Sequence, residues 1–506
     1  MQKTAILISL LSLISAFAFN ELNIHFLKKD SVELRYNETV ITADDVSYIR
    51  PAQNYLEIGE LKNNMVGDGS YFLRPPGYSS LFVFYGFFLE IENAVKAVKI
   101  TQLILFALSV YCLFFIAFGY IKSKKIAILI TGIYGVSNLA SGFLYYTLTE
   151  AITPALVIFF VFFLMRAKEE NRHKAKLVFY YIAAAIFSFL FITRPVLAIL
   201  GLAFPFFIYA DFWKRKKQFF TQLILVGFIA SSGMIVWQVR NYNITNQIVG
   251  LNPIYYPENS QSSFRPTHEA LWDLCKGWGE IGADFHSYVG PFWSSAIHGN
   301  ANQEDIDKII SQFPNEVVEK LDKYKLEEML RTYQLSIENQ KHFYENRLPM
   351  PQEIPEIETK TILQINELTA DFKKEFWFQY YISSPIKVFK ELAFHSNLSM
   401  YIFQKTFRGN ILMESFRLFA FSIHVLALVT LIFSLFFKTP IHLKSLFSYS
   451  VLIYVFFLIF VQRGIEERYS LPILPLVLVS FGYFIMQLKT IISQKLIRNK
   501  DQRVLE

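Results

Sequence analysis

Apolar residues along this chain gather into about ten blocks, each near the roughly 20 residues that a helix needs to cross hydrocarbon. They fall at 4–20, 100–120, 126–146, 151–166, 177–193, 196–211, 219–238, 412–437, 446–461 and 471–487. Another apolar stretch, 76–98, is interrupted by Glu90, Glu92, Lys96 and Lys99. Counting it as a span would separate Lys122, Lys124 and Lys125 from the other basic loops, so it reads as an interfacial amphipathic segment. With Lys3 inside, the basic runs at 122–125, 166–176, 214–217 and 438–444 and the C-terminal tail then share one side. That common side is the cytoplasm by the positive-inside rule, and both termini lie there. The first block resembles a signal peptide in length. Ser15-Ala16-Phe17-Ala18 makes a weak cleavage site and many spans follow, so it reads as a retained helix.

Two segments between spans are long, and both fall on the non-cytoplasmic side: 21–99 and 240–410. The predicted organisation is an N-terminal transmembrane module over 1–238, with a catalytic first outer loop at 21–99. An extracytoplasmic, mostly helical domain follows over 239–410, its last part, 385–410, interfacial. Transmembrane helices and a basic tail complete 411–506. The fold class is an all-α polytopic membrane protein.

Composition removes the main alternatives. The 506 residues are 53% hydrophobic and 18% charged, with 52 Phe, which is too little charge to cover a soluble protein of this size. The net charge of +7 comes largely from Lys and Arg beside apolar blocks, so membrane lipids, not nucleic acid, are the expected partner. Cys112 lies in an apolar block and Cys275 in a polar region, which leaves no cysteine metal site and no expected disulfide.

The candidate chemistry sits in short polar runs at the outer ends of spans. Thr42-Ala43-Asp44-Asp45-Val46-Ser47-Tyr48 sets two carboxylates side by side. Mutual repulsion and partial desolvation predict that one of them has a raised pKa, useful for proton transfer. The plainer reading is a helix start, with Thr42 or Asp44 as the cap. In Arg74-Pro75-Pro76-Gly77-Tyr78 the prolines stiffen the backbone and aim an arginine suited to a phosphate, or simply to lipid headgroups. Glu150 is placed to cap the block at 151–166. Arg194-Pro195 puts a charge deep among apolar residues, where charges are usually paired or functional. Arg240-Asn241-Tyr242 follows Trp237 and is otherwise an interfacial anchor. Glu467-Arg468-Tyr469 precedes the last span and is otherwise an internal ion pair. His268, His286 and His298 lack metal-ligand spacing and read as surface residues, while the Asp44-Asp45 pair could take a divalent cation without needing one.

Taken in order, Asp44-Asp45-x-x-Tyr48, Arg74-Pro75-Pro76-Gly77-Tyr78, Thr149-Glu150, Arg194-Pro195, Trp237-x-x-Arg240-Asn241-Tyr242 and Glu467-Arg468-Tyr469-x-x-Pro472 resemble the GT-C superfamily. These are membrane glycosyltransferases that use polyprenyl-phosphate sugars, similar here to the protein O-mannosyltransferases and the lipid A aminoarabinose transferases. The resemblance covers 1–250 and 463–475, while 250–410 matches nothing nameable. It implies a GT-C-type helical bundle with catalytic Asp44 and Asp45, where the family usually has Asp-Glu. It implies donor phosphate at Arg74, Arg194 and Arg240, and a cavity lined by Tyr48, Tyr78, Glu150, Glu467 and Arg468. The acceptor would be a glycan, lipid or protein hydroxyl. A Lys-, Asn- and Phe-rich composition suggests a bacterial source and undecaprenyl phosphate as carrier. A polysaccharide polymerase or ligase would rely on late outer-loop arginines, without an acidic pair after the first span. A flippase or transporter would show internal repeats or helices broken at mid-membrane, and no repeat is evident.

Overall fold

The structure, a computed structural model, describes residues 1–42, 44–63, 74–137, 139–245, 266–277, 282–346, 354–395, 411–463 and 467–505. Among these, helix dominates, and the only strands are Leu34–Arg35 and Thr39–Val40, a short antiparallel pair with Leu34 opposite Val40. Eight helical stretches are long and apolar enough to cross a membrane: Gln2–Lys29, Ile91–Ile121, Lys124–Phe143, His173–Thr193, Pro195–Phe212, Lys216–Ile244, Ile441–Gln462 and Arg468–Gln494. Thr153–Glu169, buried along most of its length, stands with them. So does Ile411–Thr430, which tightens into a 3-10 turn over Leu431–Phe436. These correspond to the ten apolar blocks of the sequence. The chain is a polytopic membrane protein.

The first helix is packed into the bundle along a narrow, small-residue face that buries Ala5, Ser12, Ala16 and Asn20. Small side chains let membrane helices approach closely. Gly135 shows how closely, because a Cβ there would lie 2.0 Å from Ser12 Oγ. Asn20 Nδ2 donates to Ser141 O at 2.9 Å, which ties the second half of this helix to the 3-10 turn at Ser141–Phe143.

Two boundaries differ from the sequence reading. The second span starts at Ile91, not near residue 100, and only Pro76–Gly86 forms the separate short helix before it. Glu92, Lys96 and Lys99 therefore lie on the first turns of a 31-residue helix. Lys99 donates to Glu38, and Lys96 stands 3.5 Å from the same carboxylate, so the first loop supplies the counter-charge. Regular α-helix in the third span stops at Val136, followed by a 3-10 turn at Ser141–Phe143. Beyond it Tyr145 and Tyr146 run alongside the strand pair, where Val40 N–H donates to Tyr145 O at 2.9 Å. Pro205 does not break a helix. Pro195–Leu202 is 3-10 and the α-helix begins at Ala203, which puts Pro205 in a first turn, where its missing N–H costs nothing.

Helices from Pro266–Cys275 to Glu356–Glu375 form a domain with its own core, including Leu274, Phe292, Met329, Leu330 and Phe372. Their apolar residues recur at helical spacing, and burying each large one contributes about 1.5–3 kcal/mol. Val388, Leu392 and Ala393 already belong to the membrane core.

Candidate active site

A cavity of about 610 Å³ opens at the end of the bundle that carries the helical domain. Five separate stretches build its wall: Asp44 and Tyr48; Arg74 and Pro75; Thr149 and Glu150; the run from Thr193 to Ile199; and Phe457, Gln462, Arg468 and Tyr469. Each is placed by the end of a helix. Val46–Ile58 begins just after Asp44, and Pro76–Gly86 begins with Pro75 as its cap and Pro76 in the first turn. Arg194 sits between two spans in extended backbone, with φ −147°. Gly77 holds this corner shut, since a Cβ there would lie 2.3 Å from Thr193 Oγ1 and 2.7 Å from the Thr193 nitrogen.

The charged side chains form one alternating string. Arg74 Nη2 donates to Asp44 Oδ1, and Arg468 Nη2 donates to Asp44 Oδ2 at 2.6 Å. Arg468 Nε stands 3.6 Å from Glu150 Oε1, to which Arg194 Nη1 donates at 2.5 Å. Arg74 Nε also donates to Ser47 Oγ at 3.0 Å. The Arg74 guanidinium lies over the Tyr48 ring at 5.3 Å and that of Arg194 over Tyr469 at 4.8 Å. Among the described residues, three arginines thus meet two carboxylates in this string.

Burial pushes the Asp44 carboxyl up, but Arg74 and Arg468 outweigh it and hold the group below its ordinary value. The magnitudes explain the outcome: one charge at about 4 Å contributes on the order of 4 kcal/mol at an effective dielectric near 20. Glu150 behaves alike, raised by burial and pulled down further by Arg194 and then Arg468. The expectation of a raised pKa from two adjacent carboxylates is therefore corrected for Asp44, whose nearest charges are guanidinium groups.

Asp45 does not line the cavity. Fully buried, it accepts from Arg35 Nε at 2.9 Å and Arg35 Nη2 at 3.2 Å, which staples the strand pair to the start of Val46–Ile58. Neither acid caps that helix through its side chain, so the capping reading is also corrected. Glu150 likewise pairs with Arg194 and makes no cap, Ile152 being the residue before Thr153–Glu169. Tyr78 lies behind the wall: fully buried, it packs edge-on to Tyr48 and donates to Gln102 Oε1 at 2.5 Å.

Arg240 belongs to a neighbouring cavity of about 730 Å³, beyond Pro76 and Ile192. It stacks on Trp237 at 4.4 Å and donates to Leu61 O at 2.7 Å, so it is not in the string that holds Asp44. The side chains of Glu467, His268 and His286 lie outside the described residues, and His298 is exposed. Both Asp44 oxygens and both Asp45 oxygens accept from arginine, so a divalent cation at this pair would have to displace a guanidinium group.

No protein-family model matches the sequence, and no curated protein matches it. Two solved structures are similar to the chain over 94% of its length and 76% of theirs. One is the crystal structure of ArnT from Cupriavidus metallidurans bound to undecaprenyl phosphate, at 11% identity and a TM-score of 0.35. The other is the same protein in the apo state, at 13% identity and a TM-score of 0.33.

The cavity also holds groups to which the sequence alone assigns no role of their own. Thr149 Oγ1 lies 3.3 Å from Arg194 Nη1, and Gln462 and Phe457 extend the wall from the far span. Arg35, ten residues before Asp45, was missed because only the hairpin brings it back. The lining combines the charged string with apolar Val196, Ala198, Ile199 and Phe457, which come from the spans themselves.

Proposed function

We propose that the chain is a glycosyltransferase that moves a sugar from a polyprenyl-phosphate donor to an acceptor hydroxyl by inverting displacement. It acts on the extracytoplasmic face of a bacterial plasma membrane, with undecaprenyl phosphate as carrier. The observation that carries this reading is the string Arg74–Asp44–Arg468–Glu150–Arg194 in one cavity at the end of the spans. It offers a carboxylate base beside guanidinium groups, with apolar lining for a prenyl chain.

In the reaction, Asp44 takes the proton of the acceptor hydroxyl as that oxygen bonds to the anomeric carbon. The bond from that carbon to the phosphate oxygen breaks, and its electron pair leaves with polyprenyl phosphate. Arg74, Arg468 and Arg194 stabilise the charge that grows there. Glu150 keeps Arg194 and Arg468 turned toward one point. The direct test is transfer of a radiolabelled sugar from polyprenyl phosphate to cell-envelope acceptors by purified protein in micelles. An enzyme needs no sealed vesicle, and absence of transfer from every such donor overturns the reading.

Asp44 held by two arginines is a weak base until a donor phosphate competes for them. That competition has a pH signature. In the free enzyme Asp44 stays ionised to below the ordinary aspartate range, so kcat/KM has its acid limb at lower pH than an unpaired aspartate would give. In the donor complex part of the arginine pull moves to phosphate, and the acid limb of kcat shifts to higher pH. Coincident limbs in the two profiles would mean that Asp44 keeps both arginines throughout. The stability contribution has the matching sign. With its folded pKa depressed, Asp44 stabilises the protein above its ordinary pKa and ceases to as pH falls through the depressed value.

A further inference from the structure

The span Ile441–Gln462 ends in an unusual way. Its last turn, Phe457–Gln462, is a π-turn, closed by Arg463 N–H donating to Leu458 O at 2.8 Å. Such turns are rare and often sit at functional sites. Arg463 itself has φ +52°, a left-handed conformation that is unfavourable for a side-chain-bearing residue. A glycine would serve a plain turn better, so the arginine side chain has to offset that cost.

It is held by the helical domain. Arg463 is 4% exposed, donates from Nη1 to Lys276 O at 3.1 Å, and stacks its guanidinium 4.5 Å from the Tyr380 ring centre. Tyr380 is fixed from behind, where its hydroxyl donates to Asp273 Oδ1 at 2.8 Å and Lys373 donates to Oδ2 at 2.8 Å. Donation to a carboxylate enriches the ring face on which the cation rests. Ser384 Oγ donates to the same Lys276 carbonyl at 3.0 Å. Tyr380 also lies in a π-turn, Gln379–Ser383, so two irregular turns meet at this contact. Beside it Trp377, Phe378, Tyr381, Ile382 and Ile386 are exposed, an aromatic face of the kind that rests at a membrane interface.

On its other side the same chain segment is the cavity wall. Gln462 immediately precedes Arg463 and lines the cavity, as do Arg468 and Tyr469 shortly after it. Within the bundle Tyr469 O accepts from Tyr454 Oη at 2.8 Å, and Ser470 Oγ meets His424 Nε2 at 3.2 Å. Residues on both sides of Arg468 are thus held, Tyr469 and Ser470 by the bundle and Arg463 by the helical domain.

We propose that Arg463 is a positioning residue: through Tyr380 and the Lys276 carbonyl, the helical domain sets where Gln462 and Arg468 stand in the cavity. The domain is then a working part of the transfer site as well as a covering over it. This rests on the transferase reading, and the test is arranged to separate the two. Arg463→Ala is expected to lower kcat by about tenfold, the size of losing one desolvated cation–ring contact, with donor KM near wild type. Arg463→Lys keeps a cation over the ring and recovers part of the loss. Combining Arg463→Ala with Tyr380→Leu is no worse than either change alone, because both cut the same link. Hydrogen exchange supplies a readout independent of turnover: amides of Glu467–Ile473 exchange faster in Arg463→Ala, while those of Ile91–Ile121 do not change. Wild-type kcat in Arg463→Ala, fully additive single effects, or unchanged exchange at Glu467–Ile473 each overturn the proposal. If wild-type protein transfers no sugar, the transferase reading falls, and the exchange result alone decides whether the joint exists.

Discussion

Asp44→Asn leaves a folded, membrane-inserted protein whose transfer rate is lower by about 10²–10⁴-fold, the usual contribution of a positioned base. The amide keeps the shape of the carboxylate and one acceptor oxygen for Arg74 or Arg468, so the cavity persists while proton uptake is lost. Asp45→Asn is the internal control. Its carboxylate touches Arg35 and not the cavity, so the variant loses stability, by about 1–3 kcal/mol for a weakened charged hydrogen bond, and keeps its turnover per folded molecule. Both are measured by initial rates on protein normalised for the folded fraction by size exclusion. Unchanged turnover in Asp44→Asn removes Asp44 from the chemistry, and equal losses in the two variants return the two acids to one shared role.

Arg194→Met has the largest expected effect on stability. The Glu150 side chain is 4% exposed and that of Arg194 11%, so the substitution leaves the carboxylate with the Thr149 hydroxyl at 3.3 Å and, among the described cations, the more distant Arg468. Removing one partner of a buried pair costs about 3–5 kcal/mol, because the remaining charge is left without compensation. The double change Arg194→Met with Glu150→Gln removes both charges and regains most of the melting temperature. It does not regain activity, since the guanidinium offered to the departing phosphate is gone. Thermal unfolding in detergent, followed by retention on size exclusion, separates the cases. A single variant that melts like wild type would show that Arg468 alone suffices for Glu150.

Much of this could be read from the chain itself, and the failures are instructive. Spans follow from long apolar runs without any tertiary information. The start of the second span escaped that logic, because Lys96 and Lys99 look foreign to a helix until Glu38, some sixty residues away, is seen to meet them. The charged string was legible as a set of residue types at one depth, but its pairing was not. Asp44 and Asp45 show why. Adjacent residues at a helix start point in different directions, so one side chain facing the cavity forces its neighbour elsewhere. That argument was available from spacing alone. Arg240 illustrates the opposite case, since its motif resembles a phosphate site and only the packing of Pro76 against the span ending at Thr193 puts it in the next chamber.

The surplus of guanidinium in the string bears on the end of the catalytic cycle as much as on its chemistry. On the proposed reaction a donor diester with a single charge becomes a monoester that carries about −1.5 to −2 at neutral pH. The three guanidinium groups of the described string would hold the spent carrier more firmly than the loaded one. Spent carrier added to the assay would then inhibit transfer by competing with the donor, and at a lower concentration than the donor itself needs to bind.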